Sequence, residues 1–120
     1  MSKVATSVAI FGAYLLILGA GLIVAPNVLL APFGFAPATE VWVPVVGVVV
    51  TTLGLYYVRA ARAELVPFFS ATVPLRGFVF IAFVIFVVIG WAPGALAVFG
   101  AVDLAGAAWT WFALRAPSRG

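Results

Sequence analysis

Few side chains in this chain of 120 residues are able to do chemistry. It has no cysteine and no histidine, which removes disulfides, thiolate ligands, cysteine nucleophiles and imidazole bases. What remains is three acids, Glu40, Glu64 and Asp103, and six bases, Lys3, Arg59, Arg62, Arg76, Arg115 and Arg119. The acids do not cluster in sequence, so no metal site is expected. Asp103 stands out because it lies within AVDLAGAAWTW, an otherwise apolar stretch. A carboxylate there can handle a proton, an ion or a ligand, or it can tie helices together. Acid–base or nucleophilic catalysis would need Asp103, Tyr14 and an arginine to converge. We therefore expect no catalytic residues, no enzyme and no cofactor.

The elements that carry these residues follow from composition. The chain is 67% hydrophobic and 8% charged, with a mean hydropathy of +1.33. A soluble domain is about half apolar and about a quarter charged. So small a domain cannot bury this excess, and lipid must be its solvent. Four stretches reach the roughly 20 residues that a bilayer span needs: about 4–24, 41–60, 71–91 and 94–114. Between them lie APNVLLAPFGFAPATE, RAARAELVPFF and WAPG, where proline, glycine and charge end helices. The first stretch follows a single basic residue and is longer than a signal-peptide core, so it reads as an uncleaved helix. The expected fold is all-α: an integral membrane bundle of four transmembrane helices, one domain over 1–120.

Four spans put both termini and the loop between spans two and three on one side. All six basic residues lie on or near that side, and the opposite loops carry none. The positive-inside rule then places both termini in the cytoplasm. The net charge of +3 reflects this topology, not binding of nucleic acid. Trp42 and Trp91 fall at the outer rim. Tyr56, Tyr57, Phe68, Phe69, Trp109 and Trp111 fall toward the inner one, forming a two-sided aromatic belt of interface anchors. The outer segment NVLLAPFGF is too apolar to be freely solvated. It reads as an interfacial plug across the bundle mouth, or as a lid over a lipid- or quinone-facing cavity.

Helical spacing groups Gly100, Asp103, Gly106, Ala107 and Thr110 on one stripe of span four. Small residues allow close helix packing in membranes, so Asp103 is expected to face the bundle. Gly12 and Gly19, and Gly47 and Gly54, are each seven apart and suit a repeating seam in a left-handed bundle. Span three, GFVFIAFVIFVVIG, has no such stripe. It is expected to be the most lipid-exposed helix or a surface for a partner. At ~1.5 Å per residue, Asp103 lies about 13 Å deep, level with Tyr14, Thr51 and Thr52. Tyr14 and Thr51 are its first expected partners. Arg76, expected nearer the inner end of span three, is the second, able to snorkel to water or lean inward. An acid at such depth costs ~2.5–3.5 kcal/mol on insertion scales. With no cation near it, burial favours the neutral form, which donates a hydrogen bond. Glu40 suits the start of span two, and Glu64 is expected to balance the neighbouring arginines.

The pattern GAGLIVAPNVLLAPFGFAP…VWVPVVGVVVTTLGLYYVRAAR resembles the DoxX-like group of small four-helix bacterial membrane proteins. The shared features are a glycine-rich first helix, an AP…FGF loop and a second helix with spaced glycines ending in LGLYYVRAAR. They cover about the first 62 residues. The resemblance implies a bacterial cytoplasmic membrane and, from some members, an accessory role beside quinone-coupled redox systems; it assigns no site residue. Three functions remain open. The first is a non-catalytic accessory or structural subunit of a larger membrane complex. The second is a small proton-coupled transporter using Asp103. The third is a membrane protein that binds lipid or quinone. Expected partners are the bilayer and other membrane subunits or a second copy.

Overall fold

The computed structural model describes residues 1–37 and 39–116. Its four long helices, α1 (Lys3–Val24), α3 (Trp42–Arg62), α4 (Val66–Val88) and α5 (Ala95–Arg115), are each long and apolar enough to cross a membrane. Local chemistry sets their ends. The Ser2 hydroxyl accepts from the Ala5 amide at 3.0 Å and caps α1. Pro26 disfavours a helical backbone at Ala25, which ends α1. The proline then opens the short helix α2 (Pro26–Leu30). A 3-10 turn, Ala31–Phe33, follows and closes on Gly34 at φ 83°. At the end of α4, Trp91 donates to the Phe86 carbonyl at 2.9 Å and Gly90 to Val87 at 3.1 Å. This cap needs the positive φ of 83° that Gly90 adopts.

The third span begins at Val66, earlier than the expected start near 71. Pro67, read from sequence as a breaker, sits in the first helical turn, where a missing N–H costs nothing. Arg76 therefore stands about 15 Å from the start of α4, and its side chain leans inward, one of the two dispositions expected for it.

The helices pair as two hairpins. In the first, α1 lies on α3 with Gly12 against Gly54 and Gly19 against Gly47. A Cβ on Gly12 would stand 3.1 Å from the Gly54 carbonyl oxygen, and one on Gly19 would stand 2.9 Å from that of Gly47. The two backbones are therefore in contact, as the seven-residue spacing anticipates. In the second hairpin, α5 offers Gly100 to Phe80 and Phe83 of α4. The hairpins join mainly through α1 and α5, whereas α3 and α4 scarcely touch. The core gathers at the end where α1 begins and α5 ends: Ala5, Val8, Phe11, Leu15, Tyr57, Ala60, Ala61 and Phe69. At the opposite end Phe33 and Phe35 pack on Phe99 of α5, at 5.0 and 6.5 Å between ring centres. The apolar segment after α1 thus lies across the bundle mouth.

Candidate functional site

A buried cation lies in the bundle toward the end where α1 begins and α5 ends. Arg76 is 3% exposed. Its side chain runs back toward the start of its own helix, the direction helical geometry favours. There Nε donates to the Thr72 carbonyl at 3.2 Å, and Nη2 donates to the hydroxyls of Thr72 at 3.0 Å and Thr110 at 2.9 Å. Thr110 in turn shares a hydrogen bond of 2.8 Å with Ser7. The chain Arg76–Thr110–Ser7 therefore ties α4, α5 and α1 together. The guanidinium also lies over the Phe11 ring at 4.8 Å and near the Tyr57 ring at 5.7 Å. Desolvated contacts of this kind contribute up to about 2 kcal/mol each.

One donor is left over. Nη1 is buried and has no acceptor among the described residues. It lies against Gly106, where a Cβ would stand 3.0 Å from it and 2.8 Å from the Phe11 ring. The glycine expected to bring two helix backbones together instead makes room for a cation and an aromatic ring.

Arg76 lines a cleft of about 340 Å³ in the gap between α3 and α4. Phe11, Leu15, Tyr57 and Val79 form its apolar walls, with Thr72, Arg76 and Asp103 as polar groups. Leu53, Leu75 and Phe78 stand exposed at its rim, so it opens on the helix faces that lipid would cover. Asp103 is half-buried and makes no hydrogen bond or ion pair with any described residue. It is within electrostatic reach of Arg76, Tyr14 and Tyr57. The two charges thus share one cleft without direct contact. A second cleft, about 260 Å³, lies between α1 and α5 and is lined by Ser7, Phe11, Tyr14, Gly106 and Trp109, among others.

The structure redistributes the expected partners of Asp103. Tyr14 stands half-buried beside Phe11, 5.5 Å between ring centres, and does not hydrogen-bond to the carboxylate. Thr51 donates to the Gly47 carbonyl at 2.8 Å inside the α1–α3 seam, and Thr52 to that of Val48 at 2.9 Å on an exposed face. Equal depth says nothing about direction around a helix. A hydroxyl in an apolar helix closes most readily on the carbonyl four residues back. Arg76, expected second and nearer the membrane edge, is the charged group that joins Asp103 in the cleft.

Other expectations also need revision. Trp42, Trp91, Tyr56, Trp109 and Trp111 are exposed, as interface anchors must be. Tyr57 is 5% exposed and belongs to the core, edge-on to Phe68 at 5.3 Å. One residue from Tyr56, it turns about 100° around α3 and faces inward. Phe69 is likewise fully buried. Glu64 does more than offset arginines. The Ser2 amide and hydroxyl donate to its two carboxylate oxygens, each at 2.6 Å. These bonds hold the Glu64 carboxyl below the ordinary carboxylate range. Glu40 is exposed, Arg115 lies over the Trp111 ring at 4.5 Å, and Arg119 falls outside the described residues.

Ser7, Phe11 and Thr72 were not singled out from sequence. Thr72 had a local signal, four residues before Arg76 and therefore on the same face. Thr110 was on the small-residue stripe, but its bond to Ser7 crosses from the last helix to the first and has no local signature. Compared with known proteins, the chain matches no family model, no curated protein and no solved structure, so the DoxX-like resemblance rests on the quoted pattern of the first 62 residues.

Proposed function

We propose that the chain is a non-catalytic membrane protein that binds an apolar, oxygen-headed molecule, a lipid or quinone, entering the α3–α4 cleft from the bilayer. One observation carries this reading: Arg76 and Asp103, a cation and an acid that do not bond to each other, line one otherwise apolar cleft. Ionisable groups within a membrane segment are costly and mark function by default. A ligand head group whose polar atoms face Arg76 and Asp103 would offset part of that cost. The cleft is mostly apolar with a few convergent polar groups, the usual character of a small-molecule site. Such a protein can serve as an accessory subunit that presents its ligand to a larger complex in a bacterial cytoplasmic membrane. Lys3, Arg59, Arg62 and Arg115 at the terminal end favour an orientation with both termini inside. A cysteine placed at 119 should then react with membrane-impermeant reagents only after the membrane is opened.

The test is native mass spectrometry of the protein extracted from its own membrane in a mild detergent. The expected result is a retained small apolar molecule, lost in Arg76→Gln and in Leu53→Trp, which fills the cleft from its rim. Larger subunits at fixed stoichiometry with no small molecule would replace this reading with a purely structural accessory role. Proton-linked flux in liposomes, abolished by Asp103→Asn, would replace it with coupled transport.

A further inference from the structure

The α3–α4 cleft is lined by polar groups of two kinds. Those of Arg76 and Thr72 are engaged inside the protein. Nε and Nη2 of Arg76 donate to the Thr72 carbonyl and to the hydroxyls of Thr72 and Thr110. Nη1 is enclosed against Gly106 and the Phe11 ring and offers no surface to a ligand. The Thr72 hydroxyl itself donates to the Phe69 carbonyl at 2.8 Å. The carboxylate of Asp103 on α5 and the phenol of Tyr57 on α3 differ. Both residues line the cleft, and neither side chain makes a hydrogen bond with any described residue. Neither is sealed away as Nη1 is.

These two groups are what the cleft can offer a head group. A phenol both donates and accepts, so it sets no preference. An ionised carboxylate only accepts, so it calls for a ligand that donates. Charge then narrows the choice of donor. Arg76 and Asp103 balance each other without a direct bond. The other titratable groups within reach are phenols, Tyr14 on α1 and Tyr57 on α3, and no second cation lines the cleft among the described residues. An ammonium would add an uncompensated charge to an apolar enclosure, which is strongly disfavoured. A hydroxyl donates and carries no charge.

We propose that the cleft takes a long-chain amphiphile with a hydroxyl head group, an alcohol or a phenol, and that this hydroxyl donates to the carboxylate of Asp103. The inference rests on the binding reading above and deepens it by naming the head group. Arg76 contributes its charge, and Asp103 contributes the acceptor. An ether of the same shape cannot donate and leaves the carboxylate without a partner, the costlier state for a charged group.

The experiment uses the full chain at neutral pH in dodecyldimethylamine oxide, a detergent without hydroxyl groups. Hexadecanol and its methyl ether, a long-chain alkyl hydroquinone kept reduced and its dimethyl ether, hexadecylammonium and hexadecane are titrated separately. Binding is read by native mass spectrometry. In the unaltered protein each hydroxyl compound should bind at least about tenfold more tightly than its ether, the effect of one hydrogen bond to a charged group. Hexadecylammonium should bind more weakly than hexadecanol, and hexadecane weakest. A preference between hexadecanol and the hydroquinone then separates an acylglycerol-type alcohol from a reduced quinone as the source. Asp103→Leu should bring each hydroxyl compound down to the level of its ether. Asp103→Asn, whose amide both donates and accepts, should bring the pairs level by raising the ether, which a misfolded protein would not do. Ethers that match their hydroxyl compounds in the unaltered protein, hexadecylammonium that matches hexadecanol, or a hydroxyl preference kept in both variants overturns the assignment to Asp103 and leaves the cleft a binding site. Retention of every probe in Leu53→Trp, or of none in the unaltered protein, overturns the binding reading itself.

Discussion

The two hairpins solve the problem of association in lipid in opposite ways. In α1–α3 the helices meet backbone to backbone, Gly12 on Gly54 and Gly19 on Gly47. The threonine hydroxyl in that seam turns back on its own helix, from Thr51 to the Gly47 carbonyl. In α4–α5 the facing surfaces carry Phe80 and Phe83, and the polar groups reach outward: Arg76 to Thr110, and Thr110 to Ser7 of α1. Lipid offers helices no hydrophobic reward for meeting, so close packing and interhelical hydrogen bonds must supply it. The first hairpin uses packing and forms a rigid scaffold. The second uses hydrogen bonds around a buried charge and leaves a cleft at its junction with the first. The seam of the first hairpin keeps its threonine on its own helix, whereas the second hairpin leaves one buried donor, Arg76 Nη1, without an acceptor among the described residues.

This contrast can be broken most sharply in the seam. In Gly19→Leu the first side-chain carbon alone would stand 2.7 Å from the Thr51 amide nitrogen. Overpacking of this kind costs about 3 kcal/mol. The thermal unfolding midpoint in detergent should fall steeply and the α1–α3 pairing should be lost. A folded Gly19→Leu protein with an unchanged midpoint would show that the seam is not the scaffold.

The next largest effect belongs to the second hairpin. Thr110→Val keeps the shape of the side chain but takes away one of the two hydroxyls that accept from Arg76 Nη2, and the partner of Ser7. Leaving buried donors unsatisfied costs about 1–3 kcal/mol. The unfolding midpoint should fall, and ligand retention should fall with it as the guanidinium loses its anchor. An equal loss from Thr51→Val, whose hydroxyl bonds only within α3, would erase the distinction between the hairpins.

A smaller effect of opposite sign is expected at Gly77. Nothing lies within 4 Å of where its Cβ would stand, and glycine inside a helix is disfavoured by up to about 1 kcal/mol relative to alanine. Gly77→Ala should therefore leave ligand retention unchanged and raise the midpoint slightly. A fall in stability would reveal a packing partner on that face of α4.

The mildest perturbation is acid. The Glu64 carboxyl titrates lower in the fold than its ordinary value of 4.5, because Ser2 donates to both of its oxygens. A depressed folded value means that the contribution is fully present above the unfolded value and is lost as pH falls through the folded one. As pH falls below the ordinary carboxylate range, the start of α1 should loosen from the turn after α3. Amide exchange near Ala5 and Thr6 should then accelerate while the α1–α3 seam stays protected.

Much of the fold was readable without coordinates because lipid imposes simple rules. Apolar runs of sufficient length must be helices, and proline, glycine and charge mark their ends. The glycine pairs were legible too, since a seven-residue spacing returns small residues to the same face. The start of α4 was not. Pro67 breaks a helix in one position and begins one in another, and only the preceding turn at Ala63–Leu65 decides between them. That shift of a few residues lengthens α4 before Arg76, and the arginine's side chain turns inward to Thr110. Asp103 was recognised as the anomaly of the sequence, but its depth could not say which neighbour would face it. Tyr57, adjacent to the exposed Tyr56, shows the same limit. Type and depth are written in the chain, whereas direction depends on which helices pack together.

The sequence by itself determined the four helices long and apolar enough to span a membrane and the glycine seam between two of them. Each of these follows from residue type and short-range periodicity, because a backbone in lipid has to satisfy its own hydrogen bonds. Only the tertiary structure decided that α3 and α4 would stand apart, that Ser7 and Thr110 would meet from opposite ends of the chain, and that Arg76 would lie over the Phe11 ring with one nitrogen unmatched among the described residues. Those arrangements depend on how four helices divide their contacts, and no local stretch of sequence encodes that division.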